Sequence, residues 1–184
     1  MRKILGIAGS PRRDGNTSIL VSKILEGAKN AGALTERIDL SDLKIGECNG
    51  CEACWKQGAC VQGDDMQALY QKISASDCLV LGTPIYWYGP TALMKGFLDR
   101  FYLYCGGEQK GKLKGKEGVL MLVFEEDDPQ AAEATLEMFG RSFDYLGMSF
   151  DHRLIVPGVG PKGAIWKKTE RIEEAYILGQ NLNR

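Results

Sequence analysis

Three short apolar runs, Ile4 to Ala8, Cys78 to Leu81 and Val119 to Phe124, are separated by amphipathic stretches of helical length. Each run is nearly continuous, short, and either β-rich or bounded by glycine or charge, so each reads as a strand covered on both faces. Two further segments, Leu34 to Leu40 and His152 to Val156, mix charged with apolar residues, the pattern of strands at a sheet edge. Helical spacing runs over Thr17 to Asn30, through Leu20, Ile24 and Ala28, and over Asp64 to Ser74, through Met66, Leu69, Tyr70 and Ile73. Pro90 and Pro129 each open a further predicted helix, and Ile165 to Leu182 closes the chain.

Strict alternation of strand and helix implies an α/β fold, a five-stranded parallel sheet sandwiched between two helical layers. Strands one, three and four read as central and two and five as edges, which is the doubly wound order 2-1-3-4-5. With 184 residues, 44% of them hydrophobic, the chain suits one core, and we expect a single domain over 1–184 with a cysteine-rich insertion at 47–62. Gly106 to Gly118 reads as a surface loop. The 23 basic and 24 acidic residues leave a net charge of -1, so no field draws in nucleic acid or an anionic membrane. The first apolar run is broken by Gly9 and Pro11 too early for a signal peptide, and no run reaches transmembrane length. Four cysteines within thirteen residues suit metal binding in a reducing cytoplasm better than a secreted disulfide framework.

In this strand order the ligand crevice lies between strands one and three, so the loops leaving them carry the functional expectation. The first, Gly9-Ser10-Pro11-Arg12-Arg13-Asp14-Gly15-Asn16-Thr17-Ser18, stands directly before a helix. Free amides and the helix dipole favour an anion there, Ser10, Asn16, Thr17 and Ser18 can donate hydrogen bonds, and Arg12 or Arg13 can supply charge. Asn16 stands where an ATP-binding loop needs lysine, and the G-x-G-x-x-G spacing is missing, so a phosphate monoester is the expected anion. A plain strand-to-helix turn capped by Asn16 or Thr17 is the bland alternative. The second loop, Thr83-Pro84-Ile85-Tyr86-Trp87-Tyr88-Gly89-Pro90, places three aromatics in a turn, where a planar ring can lie against Ile85, Tyr86 and Trp87. Its alternative is a hydrophobic lid or a contact between subunits.

The stretches GSPRRDGNT and TPIYWYGPTALMKGFLDR resemble the NADPH-dependent FMN reductase family, and the resemblance extends over nearly the whole chain. It implies a flavodoxin-like fold, with Ser10, Arg12, Asn16, Thr17 and Ser18 on the FMN phosphate and Pro84, Ile85, Tyr86 and Trp87 flanking the isoalloxazine. The segment CNGCEACWKQGAC resembles the iron-sulfur flavoprotein branch of that family. One departure stands out: Glu125-Glu126-Asp127-Asp128 follows the fourth strand, where such proteins often carry a small or glycine-rich loop. Solvated carboxylates, or charge at the start of the next helix, account for it.

Cys48-x2-Cys51-x2-Cys54-x5-Cys60 lies after strand two, on the same side of the sheet as both loops. Three cysteines at three-residue intervals and a nearby fourth can hold a [4Fe-4S] cube, each thiolate on a different iron. Structural zinc usually asks for two separated C-x2-C hairpins, and free thiols or a disulfide are further alternatives. Cys78 reads as core, Cys105 stays open, and His152 reads as structural or surface.

The expected activity is an FMN-dependent oxidoreductase moving electrons from NAD(P)H or a protein donor to a quinone, a flavin or an iron-sulfur cluster. A flavin carries such chemistry, so no catalytic side chain is assigned. The alternative is a non-catalytic FMN and iron-sulfur electron carrier working with protein partners. The exposed aromatics and Trp55 suggest a homodimer or homotetramer.

Overall fold

The computed structural model describes residues 1–183; Arg184, the last residue of the expected domain, lies outside the described residues. The elements run β1 (Lys3–Ala8), α1 (Asn16–Asn30), β2 (Leu34–Asp39), α2 (Ala53–Gln57), α3 (Met66–Ala75), β3 (Cys78–Tyr86), β4 (Gly89–Pro90), α4 (Ala92–Asp99), β5 (Glu117–Val123), α5 (Glu133–Leu146), β6 (Ser149–Val156) and α6 (Thr169–Asn181). The sheet order is β2-β1-β3-β5-β6, parallel throughout, with the two-residue β4 pairing antiparallel to the end of β3. The five expected strands and their order are thus present, and β4 makes six.

Period-two alternation along the buried strands feeds two separate cores. Leu5, Ile7, Leu79, Leu81, Leu120 and Leu122 face α3, α4 and α5, where Ile73, Phe97, Phe139 and Phe143 pack. Ile4, Ala8, Cys78, Val80, Val119, Met121 and Val123 face the opposite way, against Leu20, Val21 and Ile24 of α1 and Ala175 of α6. A continuous apolar run is what a strand needs when both faces are covered. The two helices of the second layer cross in backbone contact. A Cβ on Gly27 would run into the Tyr176 carbonyl, and one on Gly179 into that of Ile24.

Several boundaries differ from expectation. Pro90 does not open α4 but pairs with Ile85, and the helix starts at Ala92 behind Thr91, whose side chain accepts from the Met94 amide. Pro129 opens a single 3-10 turn, with α5 beginning at Glu133, and Ile165 lies in a second 3-10 turn ahead of α6. Proline fixes one φ but does not choose between a helix and a turn. The cysteine-rich segment holds a short helix, α2, entered through Glu52 at φ 59° and left through Gly58 at φ 71°. Among the described residues no helix is long and apolar enough to cross a membrane.

Candidate functional site

The loops leaving β1 and β3 meet. Ser10, Arg12, Asn16, Thr17, Pro84, Ile85 and Tyr86 line one cavity of about 180 Å³, closed on its far side by Phe124, Glu125, Val159 and Gly160. Ile85, Phe124 and Glu125 also line an adjoining cavity of about 400 Å³, whose other walls are Trp87, Tyr88, Glu126 and Ala131. Larger open space lies between α4 and α5, about 440 Å³ lined by residues such as Tyr102 and Tyr145, but it includes no phosphate-loop residue. The convergence of donors, rather than volume, picks out the crevice between β1 and β3.

The phosphate-type loop is shaped by bonds within itself. The Arg12 amide donates to Ser10 Oγ at 3.1 Å, and the Gly15 amide to the Arg12 carbonyl at 3.1 Å. Gly15, not Asn16 or Thr17, is the N-cap of α1, and no side chain caps it, so the capping alternative is not what the structure contains. Asn16 is instead spent across the crevice: its amide donates to the Pro161 carbonyl at 2.9 Å and its oxygen accepts from the Ile165 amide at 3.3 Å. Arg12 Nη1 donates to the Gly160 carbonyl at 3.0 Å. Ser18 is buried behind the loop, donating to Asp39 at 2.7 Å, and Arg13 pairs with Asp42 at 2.6 Å.

The aromatic segment is a strand end and a hairpin rather than a free loop. β3 runs on to Tyr86, and a two-residue turn at Trp87 (φ 50°) and Tyr88 (φ 61°) reverses the chain into β4. Positive φ at both central residues suits the twist of a tight hairpin, but it normally calls for asparagine and glycine, and bulky residues there are strained. The Thr135 hydroxyl donates to the Tyr88 carbonyl at 2.8 Å and ties the turn to α5, while Trp87 stands 96% exposed at its tip. Strain of this kind, held by surrounding bonds, is characteristic of working sites.

The four carboxylates after β5 divide their tasks. Glu125 lines both cavities and lies against Gly160; Glu126 faces only the larger one. Asp127 lies against Gly158 near Lys168, and Asp128 caps the following 3-10 turn by accepting from the Gln130 amide at 2.9 Å. Two of the four therefore meet the site.

The cysteine segment follows a 3-10 turn at the carboxyl end of β2. All six cysteines are free, so no disulfide pairs them. Cys54, on α2, is the buried one of the four in this segment, and its thiol is pushed up by burial and then by the nearby Cys60, Cys48 and Cys51, so the four sulfurs share one electrostatic neighbourhood. Among the described residues no three potential ligands close on a single point as those of one ion would. The segment is clamped from outside. Trp55 stacks on Tyr102 with ring centroids 4.4 Å apart, and its Nε1 donates to the Tyr102 carbonyl at 2.8 Å. Arg100, just after α4, reaches the Gly46 carbonyl at 2.7 Å, Asp64 at 2.6 Å and Cys60 Sγ at 3.3 Å. Cys78 is fully buried in β3, and His152 lies 3.4 Å from Glu117, at the other end of the sheet from these loops.

Residues 2–148 match the family described as NADPH-dependent FMN reductase. The chain belongs to that family. Among its relatives, an iron-sulfur flavoprotein of Archaeoglobus fulgidus is 39% identical over 122 residues, which are 66% of this chain and 54% of that protein. A second iron-sulfur flavoprotein of the same organism is 31% identical over 178 residues, covering 94% of this chain and 88% of its own length. The chain thus spans little more than half of the first of these relatives. The NAD(P)H:quinone oxidoreductase from Methanothermobacter marburgensis shares the fold, with a TM-score of 0.81 at 19% identity over all of this chain and 98% of its own. The FMN reductase fold is therefore common to chains with little sequence in common.

Within this member of the FMN reductase family, sequence reasoning missed the far wall and the brace. Val159 and Gly160 follow β6, where only a plain loop signal exists. Thr91 joins the two loops: its hydroxyl donates to the Gly9 carbonyl, and its amide donates to Thr83 Oγ1 at 3.3 Å. Threonine directly ahead of an apolar run is an N-cap signal at Thr91, but Pro90 beside it is a competing helix-start signal.

Proposed function

We propose that this chain is an FMN-dependent oxidoreductase that takes electrons from NAD(P)H or a protein donor and passes them to a quinone, a flavin or an iron-sulfur cluster. The observation that carries this reading is the single crevice that unites Ser10, Arg12, Asn16 and Thr17 with Pro84, Ile85 and Tyr86. FMN bound there would supply hydride acceptance and one-electron release, chemistry that no side chain of the protein provides. The residues present fit it. The Ser10 hydroxyl, the Arg12 guanidinium and the uncapped amides of α1 suit a phosphate dianion, with Thr17 completing that end of the loop and Ser18, bound to Asp39 behind it, supporting the loop rather than lining the cavity. Ile85, Tyr86, Trp87 and Phe124 offer flat apolar surface to a ring, and Pro84 leaves the β3 edge free of one competing amide donor. Glu125 and Glu126 line the larger cavity and favour a neutral ring, such as a nicotinamide or a quinone, over a carboxylate at that wall.

Cys48, Cys51, Cys54 and Cys60 would hold a [4Fe-4S] cluster on this reading. A cube asks each thiolate for a different iron, and three cysteines at three-residue intervals with a nearby fourth suit that better than a single zinc. A reducing cytoplasm and one domain with its insertion at 47–62 belong to the same proposal, as does a homodimer or homotetramer covering Tyr86 to Tyr88. Anaerobic purification, a visible spectrum, iron and sulfide analysis and light scattering test these together. Flavin bands bleached by NADPH or NADH support the oxidoreductase, and protein that retains no FMN sinks it. The full exposure of Trp87 favours a second reading, an electron carrier with a protein-facing tip. Rapid reduction by a ferredoxin without NAD(P)H turnover would select that one.

A further inference from the structure

Arg100 is the largest fully buried side chain, 1% exposed, and it carries a charge. Its two terminal nitrogens grip Asp64 at 2.6 and 3.2 Å, while one also reaches the Gly46 carbonyl at 2.7 Å and Gln62 at 3.3 Å. Cys60 Sγ is a further acceptor, at 3.3 Å from the other nitrogen. The guanidinium carbon lies 6.0 Å from the Tyr70 ring centroid, and Nε is buried without a partner. Asp64, Gly46 and Gln62 anchor the segment through oxygen acceptors alone. A neutral thiol is a weak acceptor and a poor reason to bring a buried cation to it, whereas an anionic or iron-bound sulfur accepts strongly. Among the described residues, Cys48, Cys51 and Cys54 have no cation on their sulfurs. Cys60 is also the ligand set apart by five residues rather than two, so the C-x2-C spacing does not place it.

We infer that Arg100 is a positioning residue that fixes Cys60 as the one charge-compensated corner of the four-cysteine site and raises the reduction potential of the cluster held there. The inference rests on the reading that these cysteines hold a cluster. One-electron reduction adds one negative charge and no proton, and a hydrogen-bonded cation beside one sulfur stabilises that added charge. The rest of the set has no such partner, so loss of Arg100 falls on this term directly.

The test uses full-length protein reconstituted anaerobically with FMN, ferrous iron and sulfide, then reduced stepwise with dithionite. Electron paramagnetic resonance follows the cluster, and absorbance follows the flavin in the same titration. Arg100→Gln is expected to keep wild-type iron and sulfide while the equilibrium constant for cluster reduction falls about tenfold, some 59 mV for one electron. Arg100→Lys, which keeps charge but loses the fork, is expected to fall about threefold and carries the test if Arg100→Gln does not fold. The flavin potential stays fixed in both, and Lys95→Gln, which removes an exposed charge from α4, leaves both centres within twofold. Equilibrium constants for cluster reduction within twofold of wild type in the Arg100 variants overturn the inference. So does loss of iron from every Arg100 variant, which would make the residue a scaffold only. Wild-type protein that takes up no cluster overturns the underlying reading instead.

Discussion

The hydroxyl of Thr91 donates to the carbonyl of Gly9, a buried bond between the loop after β1 and the first turn of α4. The same oxygen accepts from the Met94 amide at 3.2 Å, so one side chain caps a helix and locks the spacing of the two walls of the crevice.

Replacing Thr91 by Val keeps the shape and removes both bonds. Stability is expected to fall by about 1–3 kcal/mol, from the lost cap and a stranded buried carbonyl. FMN affinity should weaken with it, and Thr91→Ser should restore most of each. Urea melts and flavin fluorescence titrations check this; a Val variant with wild-type affinity would mean that the brace does not set the crevice.

Trp87 sits at φ 50° with almost no surface buried, so nothing is lost by removing its ring while strain is relieved. Trp87→Asn is expected to raise stability by about 0.5–1 kcal/mol. Flavin reoxidation by quinone should slow at least several-fold. A variant both more stable and equally fast would show that the strained turn has no part in electron transfer.

Burial alone would push the Asp64 carboxyl up. The Arg100 hydrogen bond, the Gly46 amide and the Arg100 charge outweigh it and hold the group below the usual carboxylate range. A depressed folded value means that the stabilisation is present above the unfolded value, near 3.9 for Asp in general, and is lost as pH falls through the folded one. Wild type should exceed Asp64→Asn by about 3 kcal/mol at neutral pH, because the variant leaves Arg100 buried without its counter-charge. Denaturant melts should show that gap closing below about pH 4. A gap independent of pH would contradict the pairing.

Gly179→Ala would drive a methyl into the Ile24 carbonyl, forcing α6 away from α1. A loss of about 1–3 kcal/mol is expected, as for other overpacked contacts. Because α1 carries the phosphate-type loop at its start, flavin affinity should fall too, read by the same titration.

The sheet was legible because buried strands write themselves as unbroken apolar runs. Ile4 to Ala8 and Val119 to Phe124 needed no tertiary information, and the edge character of β2 showed in its charges. The hairpin was not legible, since Trp87-Tyr88 lacks the asparagine and glycine that announce such a turn; tertiary bonds from Thr135 and the Pro90 pairing impose it. Arg100 was invisible for the opposite reason. In sequence it is one more charge in the run LDRFY, and only the packing of a distant segment around it reveals a buried ion pair.

The stretch that matches the family ends at residue 148, yet Val159 and Gly160 wall the crevice, and Arg12 and Asn16 fasten to Gly160, Pro161 and Ile165. The glycine crossing of α1 and α6 ties the same two regions from below. Substitutions far downstream can therefore swing the arginine and the asparagine of the anion loop without altering either. On the proposed reading, the grip of this protein on a phosphate is set by a lever whose handle carries none of the motifs that announce the loop.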